Sequence, residues 1–334
     1  MSNTMIVLTP VLIFFIIALF GFVGCGTTLP YDDPPPEADP QPDPKPKSPY
    51  DPTGPLTPPT GPHLPPAATT YESLVTGTKG FVALWPLNET LGKVAAVVGP
   101  LSPSANGTYK SATGGDPSAA SYSLGKLGVL YPKDNQDFAV EFTGTEALIE
   151  VEPFIASLNP SPAVPGFTIE LWAKPNPNAG ADRGVMVSSH HFDSATVQQG
   201  YEVGLLKVAG QPHHQIYGRV YGNSAMAEIS IQPVDGDPSE WRHIVFKYEF
   251  VAGTGYVLRL RAQLLNGVQV YQAQSPGPVV YENVTSAKPS TFRIAGSHLP
   301  PPGTSSLFAG QLDNVAFYAA PLSDAEIKDH FAFA

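Results

Sequence analysis

The chain has 334 residues, only 14% of them charged, and a formal net charge of -11, which argues against the basic face that nucleic-acid binding requires. Its 38 prolines and 31 glycines exclude a mainly helical protein, and its single cysteine, Cys25, excludes an intramolecular disulfide or a cysteine-based metal site.

Met5 to Gly24 is an almost unbroken apolar run of about 20 residues, long enough to span a bilayer, and it ends in Phe22-Val23-Gly24-Cys25-Gly26. This ending resembles a bacterial lipoprotein signal peptide, in which a cysteine after a small residue is lipidated and becomes the mature N-terminus. Two readings of residues 1–25 follow: a lipoprotein signal with Cys25 as the lipidation site, or an uncleaved N-terminal membrane anchor. Both tie the chain to a membrane through its N-terminal lipid or helix. Both also place the rest outside the cytoplasm, because the following Asp32-Asp33 stretch lacks the basic residues that hold a segment inside. The expected location is a cell envelope, at a bacterial outer membrane or cell surface. Residues 26–70 are proline-rich, as in Pro34-Pro35-Pro36, and nearly devoid of large apolar side chains. They are expected to form a disordered, extended linker, a spacer of up to ~100 Å.

From residue 71 onwards apolar and polar residues alternate between Gly, Pro, Asn and Asp breaks. Strands are predicted at Lys79–Leu87, Phe138–Phe142, Ala147–Val151, Phe167–Ala173, Gly184–Ser189, Gln199–Leu206, Gln215–Tyr221, Trp241–Phe250, Tyr256–Leu264, Val268–Gln272, Phe292–Ala295 and Gly310–Tyr318. Leu91–Gly115 reads as loop. In Phe167–Ala173 the residues Phe167, Ile169 and Leu171 face one way, and Thr168, Glu170 and Trp172 the other. A helix is expected only at the end, where Ser323 caps, Glu326 closes a capping box, and Leu322 and Ile327 occupy the staple positions. The pattern predicts an all-β antiparallel two-sheet sandwich of the jelly-roll type over 71–334, with a short C-terminal helix.

Five stretches together resemble the laminin-G-like, concanavalin A-like lectin/glucanase superfamily. They are Val82-Ala83-Leu84-Trp85-Pro86-Leu87-Asn88-Glu89, Val140-Glu141-Phe142-Thr143-Gly144, Phe167 to Ala173, Trp241-Arg242-His243-Ile244-Val245, and Phe308 to Ile327. The resemblance implies a non-catalytic module that recognises glycans or surface proteins. A structural role in a cell envelope, filament or virion surface is the alternative.

The resemblance also implies calcium, with Asp313, Asn88 and Glu89 as candidate ligands, although Val97-Val98-Gly99-Pro100 stands where relatives carry a further carboxylate. Enzymes of the superfamily need paired carboxylates on one strand face. Glu141, Glu146, Glu150 and Glu152 come nearest, lack the flanking pattern, and read as a solvated face, so no enzyme is expected. His190-His191 and His213-His214 can each lend only one imidazole to a shared metal, since adjacent strand residues point opposite ways, and are expected to be exposed loop histidines. Tyr217 and Tyr221, with Tyr122 and Tyr131, lie in or beside predicted loops and are candidates for stacking on sugar rings.

Overall fold

The computed structural model describes residues 70–334 apart from 132, 177–182, 195–196, 209–213, 223–224, 233–239, 267–269, 286–289 and 298–305. The expected leader or anchor, nearly all of the linker, His213, and the Asp-Gly-Asp-Pro segment at 235–238 lie outside the described residues. Among the described residues no helix is long and apolar enough to cross a membrane.

In chain order the strands are β1 (Phe81–Trp85), β2 (Val94–Ala95), β3 (Gly107–Ser111), β4 (Tyr122–Leu127), β5 (Phe138–Thr143), β6 (Ala147–Val151), β7 (Gly166–Pro175) and β8 (Arg183–Ser194). They continue as β9 (Val197–Lys207), β10 (His214–Gly222), β11 (Ala225–Ile231), β12 (Arg242–Val251), β13 (Gly255–Leu264), β14 (Val270–Gln274), β15 (Phe292–Ile294) and β16 (Ala309–Tyr318). Two helices frame them, α1 (Tyr71–Thr76) and α2 (Asp324–Phe333). The first sheet runs β14-β13-β12-β7-β16-β5-β4, with β1 also on β16, and the second runs β11-β10-β9-β8-β15-β6-β3-β2. Every ladder between named strands is antiparallel, and each sheet faces the other across one apolar layer, as the alternation predicts.

Aromatic rings fill that layer. Trp85 stacks on Phe292 at 4.9 Å between ring centres, and Phe167 packs on Phe317 at 5.8 Å. The two faces of β7 separate as expected: Phe167, Ile169 and Leu171 enter the inter-sheet core, and Trp172 joins a second cluster on the outer face of the first sheet. There Tyr71, Val75, Leu322 and Ile327 from both helix segments cover it. The capping box predicted for α2 is present, with Ser323 Oγ accepting from the Glu326 N–H and the Glu326 carboxylate accepting from the Ser323 N–H.

The structure departs from the sequence reading at weakly patterned segments. Leu91–Gly115 is not all loop, because it contains β2 and β3. In β3 the only large apolar residue is Tyr109, and the inward Gly107 fits beneath Ile149, where a Cβ would lie 2.2 Å from Cγ2. β4, β11 and α1 are additional. The last, six residues capped by Thr70, is too short to show a helical period.

Candidate binding face

On β9 the run Gly200-Tyr201-Glu202-Val203-Gly204 turns Tyr201 and Val203 into the core and leaves Glu202 on the outer face of the second sheet. Its two outward neighbours on the strand are glycines. Side chains of the adjacent strands therefore lean over β9 and enclose the carboxylate. Tyr217 lies opposite Gly204, Arg219 opposite Glu202 and Tyr221 opposite Gly200, while His190 of β8 flanks Gly200 from the other side. Gly200 has a φ of +103°, and a Cβ there would sit 1.8 Å from the Ser189 carbonyl oxygen, so no other residue fits. The imidazole of His190 and the Tyr221 ring stack over this position at 4.1 Å.

The polar groups form one lattice. Glu202 Oε1 accepts from Tyr221 Oη at 2.8 Å and from Arg219 Nη1 at 3.2 Å, and pairs with Arg183. Arg183 Nε donates to Tyr217 Oη at 2.8 Å, and the Arg219 guanidinium lies 4.4 Å from the centre of the Tyr217 ring and pairs with Glu228. Burial pushes the Tyr217 hydroxyl up to about 12 despite both guanidinium groups, and raises Tyr221 likewise. Glu202 is fully buried, yet its Oε2 has no hydrogen-bond partner among the described residues. The lattice thus holds an acceptor atom that none of the described residues satisfies.

Tyr217 and Tyr221 lie on strand β10, where the predicted strand Gln215–Tyr221 puts them. They are 0% and 3% exposed, so their rings are covered by Arg219 and His190 and are not open stacking platforms. Tyr122 is on β4, stacked on Tyr109 at 4.9 Å, while Tyr131 is exposed. His190 is buried within β8 and not exposed, and His191 and His214 are half-buried strand residues. Glu150 also departs from expectation. It is 8% exposed, and burial, which opposes its ionisation, is outweighed by Thr291, Arg293 and Lys110, which bring it down to about 2. Arg293 Nη2 reaches it at 2.6 Å and Lys110 at 3.1 Å, and Lys110 also binds Glu152. Glu150 and Glu152 are thus held in ion pairs.

The three candidate calcium ligands are each engaged by hydrogen-bond donors. Asn88 Oδ1 accepts from the Phe138 N–H at 2.6 Å, and Glu89 from the Ala96 N–H at 2.7 Å and Tyr109 Oη at 3.2 Å. Asp313, fully buried, accepts from the Val129 N–H at 2.8 Å and Asn314 Nδ2 at 2.7 Å, and shares a hydrogen bond with Asp137. Asp137 accepts in turn from the Leu130 N–H at 2.7 Å. A hard cation needs six to eight oxygens, whereas these carboxyls are surrounded by N–H donors and each other. The set fits a carboxyl pair sharing a proton and does not fit calcium. Burial is the main reason that Asp137 rises to about 6 and Asp313 rises well above the usual carboxylate range. Among the described residues no group of three His, Cys, Asp or Glu is placed to hold a metal.

A family model described as the concanavalin A-like lectin/glucanases superfamily matches residues 150–328, more than half of the chain. A search of curated proteins finds no match. Among solved structures, the enzymatically active domain of bacteriophage CBA120 tailspike protein 2 is similar, with 9% identity and a TM-score of 0.47 over 67% of this chain and 30% of that one. The botulinum neurotoxin serotype C1 binding domain has 10% identity and a TM-score of 0.46, covering 78% of this chain and 53% of that one. The Ruminococcus gnavus IT-sialidase CBM40 bound to α2,3-sialyllactose has 10% identity and a TM-score of 0.36, covering 51% and 83%. The chain spans less than two thirds of the tailspike and neurotoxin chains, and at these identities none of the three speaks to its ligand.

Proposed function

We propose, from the premise that this chain belongs to the concanavalin A-like lectin/glucanases superfamily, that it is a non-catalytic binding module for glycans. It is anchored in a cell envelope, with the domain facing outside, by the N-terminal lipid on Cys25 or by the uncleaved apolar run, and is set away from the membrane by the linker of residues 26–70. The observation that carries the reading is the lattice around Glu202. Planar guanidinium, carboxylate and phenol groups in fixed orientation suit the vicinal hydroxyls of a sugar, which donate and accept in one plane. The part-exposed edge of the lattice, where the Arg183 and Glu228 side chains are 24% and 28% exposed, supplies donors and an acceptor for such a hydroxyl. The non-catalytic reading rests on the carboxylates described above. Glu150 and Glu152 are tied to Lys110 and Arg293, and the Asp137–Asp313 pair is buried beneath backbone amides.

A glycan array probed with the full-length chain, with and without calcium, tests the proposal. Signals clustered on saccharides sharing a terminal unit are expected, and they should be indifferent to calcium. A blank array in both conditions, with a surface-protein pull-down that yields one stoichiometric partner, would overturn it in favour of an assembly role.

A further inference from the structure

The outer face of the first sheet carries a separate polar recess. β12, β13 and β14 pair Lys247 with Arg259, Val245 with Arg261, Arg261 with Gln272 and Arg259 with Gln274. Strand alternation sends these side chains to the face on which α2 lies. Between them and the first turn of α2 is a pocket of about 210 Å³. Lys247, Arg259 and Arg261 supply its cations and Gln272 and Gln274 its amides, while Val245 and Ile327 form an apolar wall.

The charges here do not balance. Arg259 Nε lies 2.5 Å from Glu249, and Lys247 Nζ lies 3.5 Å from Glu249 and 3.7 Å from Asp324 while donating to the Leu322 carbonyl at 3.0 Å. Lys247 and Arg259 thus take up both carboxylates, and the Asp324 side chain is 68% exposed. Arg261 is 8% exposed and has no carboxylate within ion-pair distance among the described residues. Its Nη2 donates to Gln263 at 2.7 Å, and its Nε finds no acceptor. A desolvated guanidinium balanced only by the more distant, largely exposed Asp324 is costly, and burial outweighs Asp324 and lowers its pKa from the ordinary arginine value. An oxyanion entering the pocket would relieve that cost.

We propose that this pocket is a second binding site, which takes the carboxylate or sulfate of a single acidic sugar unit. The guanidinium and ammonium groups meet the oxyanion, the two glutamine amides meet ring hydroxyls, and Val245 and Ile327 meet a C–H face. The volume is below the roughly 300–1,000 Å³ of ordinary small-molecule pockets, which matches one sugar unit and not a chain. The site is on the opposite sheet from Glu202 and does not depend on the reading given for that face.

Equilibrium dialysis of the full-length chain against glucuronic acid, glucose 6-sulfate and glucose tests it. Saturable binding of at least one acid is expected, with at least tenfold preference over glucose and clear weakening as salt is raised. Binding of glucuronic acid alone assigns the carboxylate, binding of the sulfate alone assigns the sulfate, and both outcomes support the site. Arg261→Gln should reduce acid binding at least tenfold. So should Gln272→Glu, which sits on an exposed edge strand and leaves the fold intact by circular dichroism. The proposal is overturned if neither acid is preferred to glucose, or if Gln272→Glu binds as well as the parent.

Discussion

His330 of the last helix places Nδ1 2.9 Å from Oε2 of Glu170 on β7, and both side chains are within 1% of complete burial. The same carboxylate accepts from Tyr318 Oη at 2.9 Å and bonds His243 Nε2 at 2.6 Å, and His330 Nε2 meets Thr78 Oγ1, just beyond α1, at 2.9 Å. One carboxylate therefore ties both helix segments to the first sheet. Burial disfavours the charged Glu170, but His330 and His243 overcome this and hold its pKa well below the usual range. Burial likewise lowers His330, but Glu170 more than compensates, leaving it raised.

The pH dependence of this clamp follows from those directions. The raised His330 stabilises the fold fully below the unfolded histidine value, near 6.5, and this contribution is lost as pH rises through its folded value. The depressed Glu170 stabilises above the unfolded glutamate value, near 4.3, and its contribution is lost as pH falls towards its folded value. Hydrogen exchange should show α2 best protected at mildly acidic pH, with protection falling on the alkaline side. Glu170→Gln should cost about 3–5 kcal/mol, because it leaves imidazoles buried without their counter-ion. An α2 equally protected from pH 5 to 9 would contradict the assignment.

The Asp137–Asp313 pair makes a distinct prediction. Both pKa values are raised, so the folded state binds more protons than the unfolded chain, and stability falls as pH rises from about 4 through about 6. Asp313→Asn keeps the shape and removes the second charge, so its melting temperature should vary less with pH over that window. A parent and variant with parallel curves would rule out proton sharing. Gly128 belongs to the same assembly, since a Cβ there would lie 2.1 Å from Asp137 Oδ2 and 2.8 Å from Asp313 Oδ2. Gly128→Ala should lose about 1–3 kcal/mol by overpacking.

Gly200 tests the architecture of the binding face. Replacement by alanine puts a Cβ against a backbone oxygen at a φ of +103°, which should destabilise by about 2–5 kcal/mol. Denaturant unfolding of Gly200→Ala measures this, and a loss under about 1 kcal/mol would show that β9 is not held as described.

Mass spectrometry of the mature N-terminus checks the anchor. Lipidated Cys25 as the first residue is the expected outcome. An intact chain beginning at Met1 would assign the uncleaved anchor instead.

The sandwich was legible in the sequence where burial enforces a period. β7 alternates because one face fills the inter-sheet core with Phe167, Ile169 and Leu171, while the other carries the polar Thr168 and Glu170 beside Trp172. Ser323 and Glu326 announce α2 because capping is local chemistry. β3 and α1 were hidden, since a five-residue strand with one large apolar residue and a six-residue helix leave no periodic trace. The binding face was half visible. Tyr217 and Tyr221 drew attention as aromatics, but their partners come from three strands, and sequence spacing does not report register between strands. The signal was present in Gly200-Tyr201-Glu202-Val203-Gly204, where a carboxylate between two outward glycines marks a place over which neighbours must lean. The solvated reading of Glu150 failed for a related reason, because Arg293 is brought to it only by the β6–β15 pairing.

The central claim is that the lattice around Glu202 reads saccharide hydroxyls. A glycan array run in parallel on the full-length parent and on Arg219→Ala addresses it most directly, because Arg219 joins Glu202, Glu228 and Tyr217. Signals from neutral saccharides should fall at least tenfold in the variant while its circular dichroism is retained. A variant that binds the same neutral glycans at parental strength would contradict the claim.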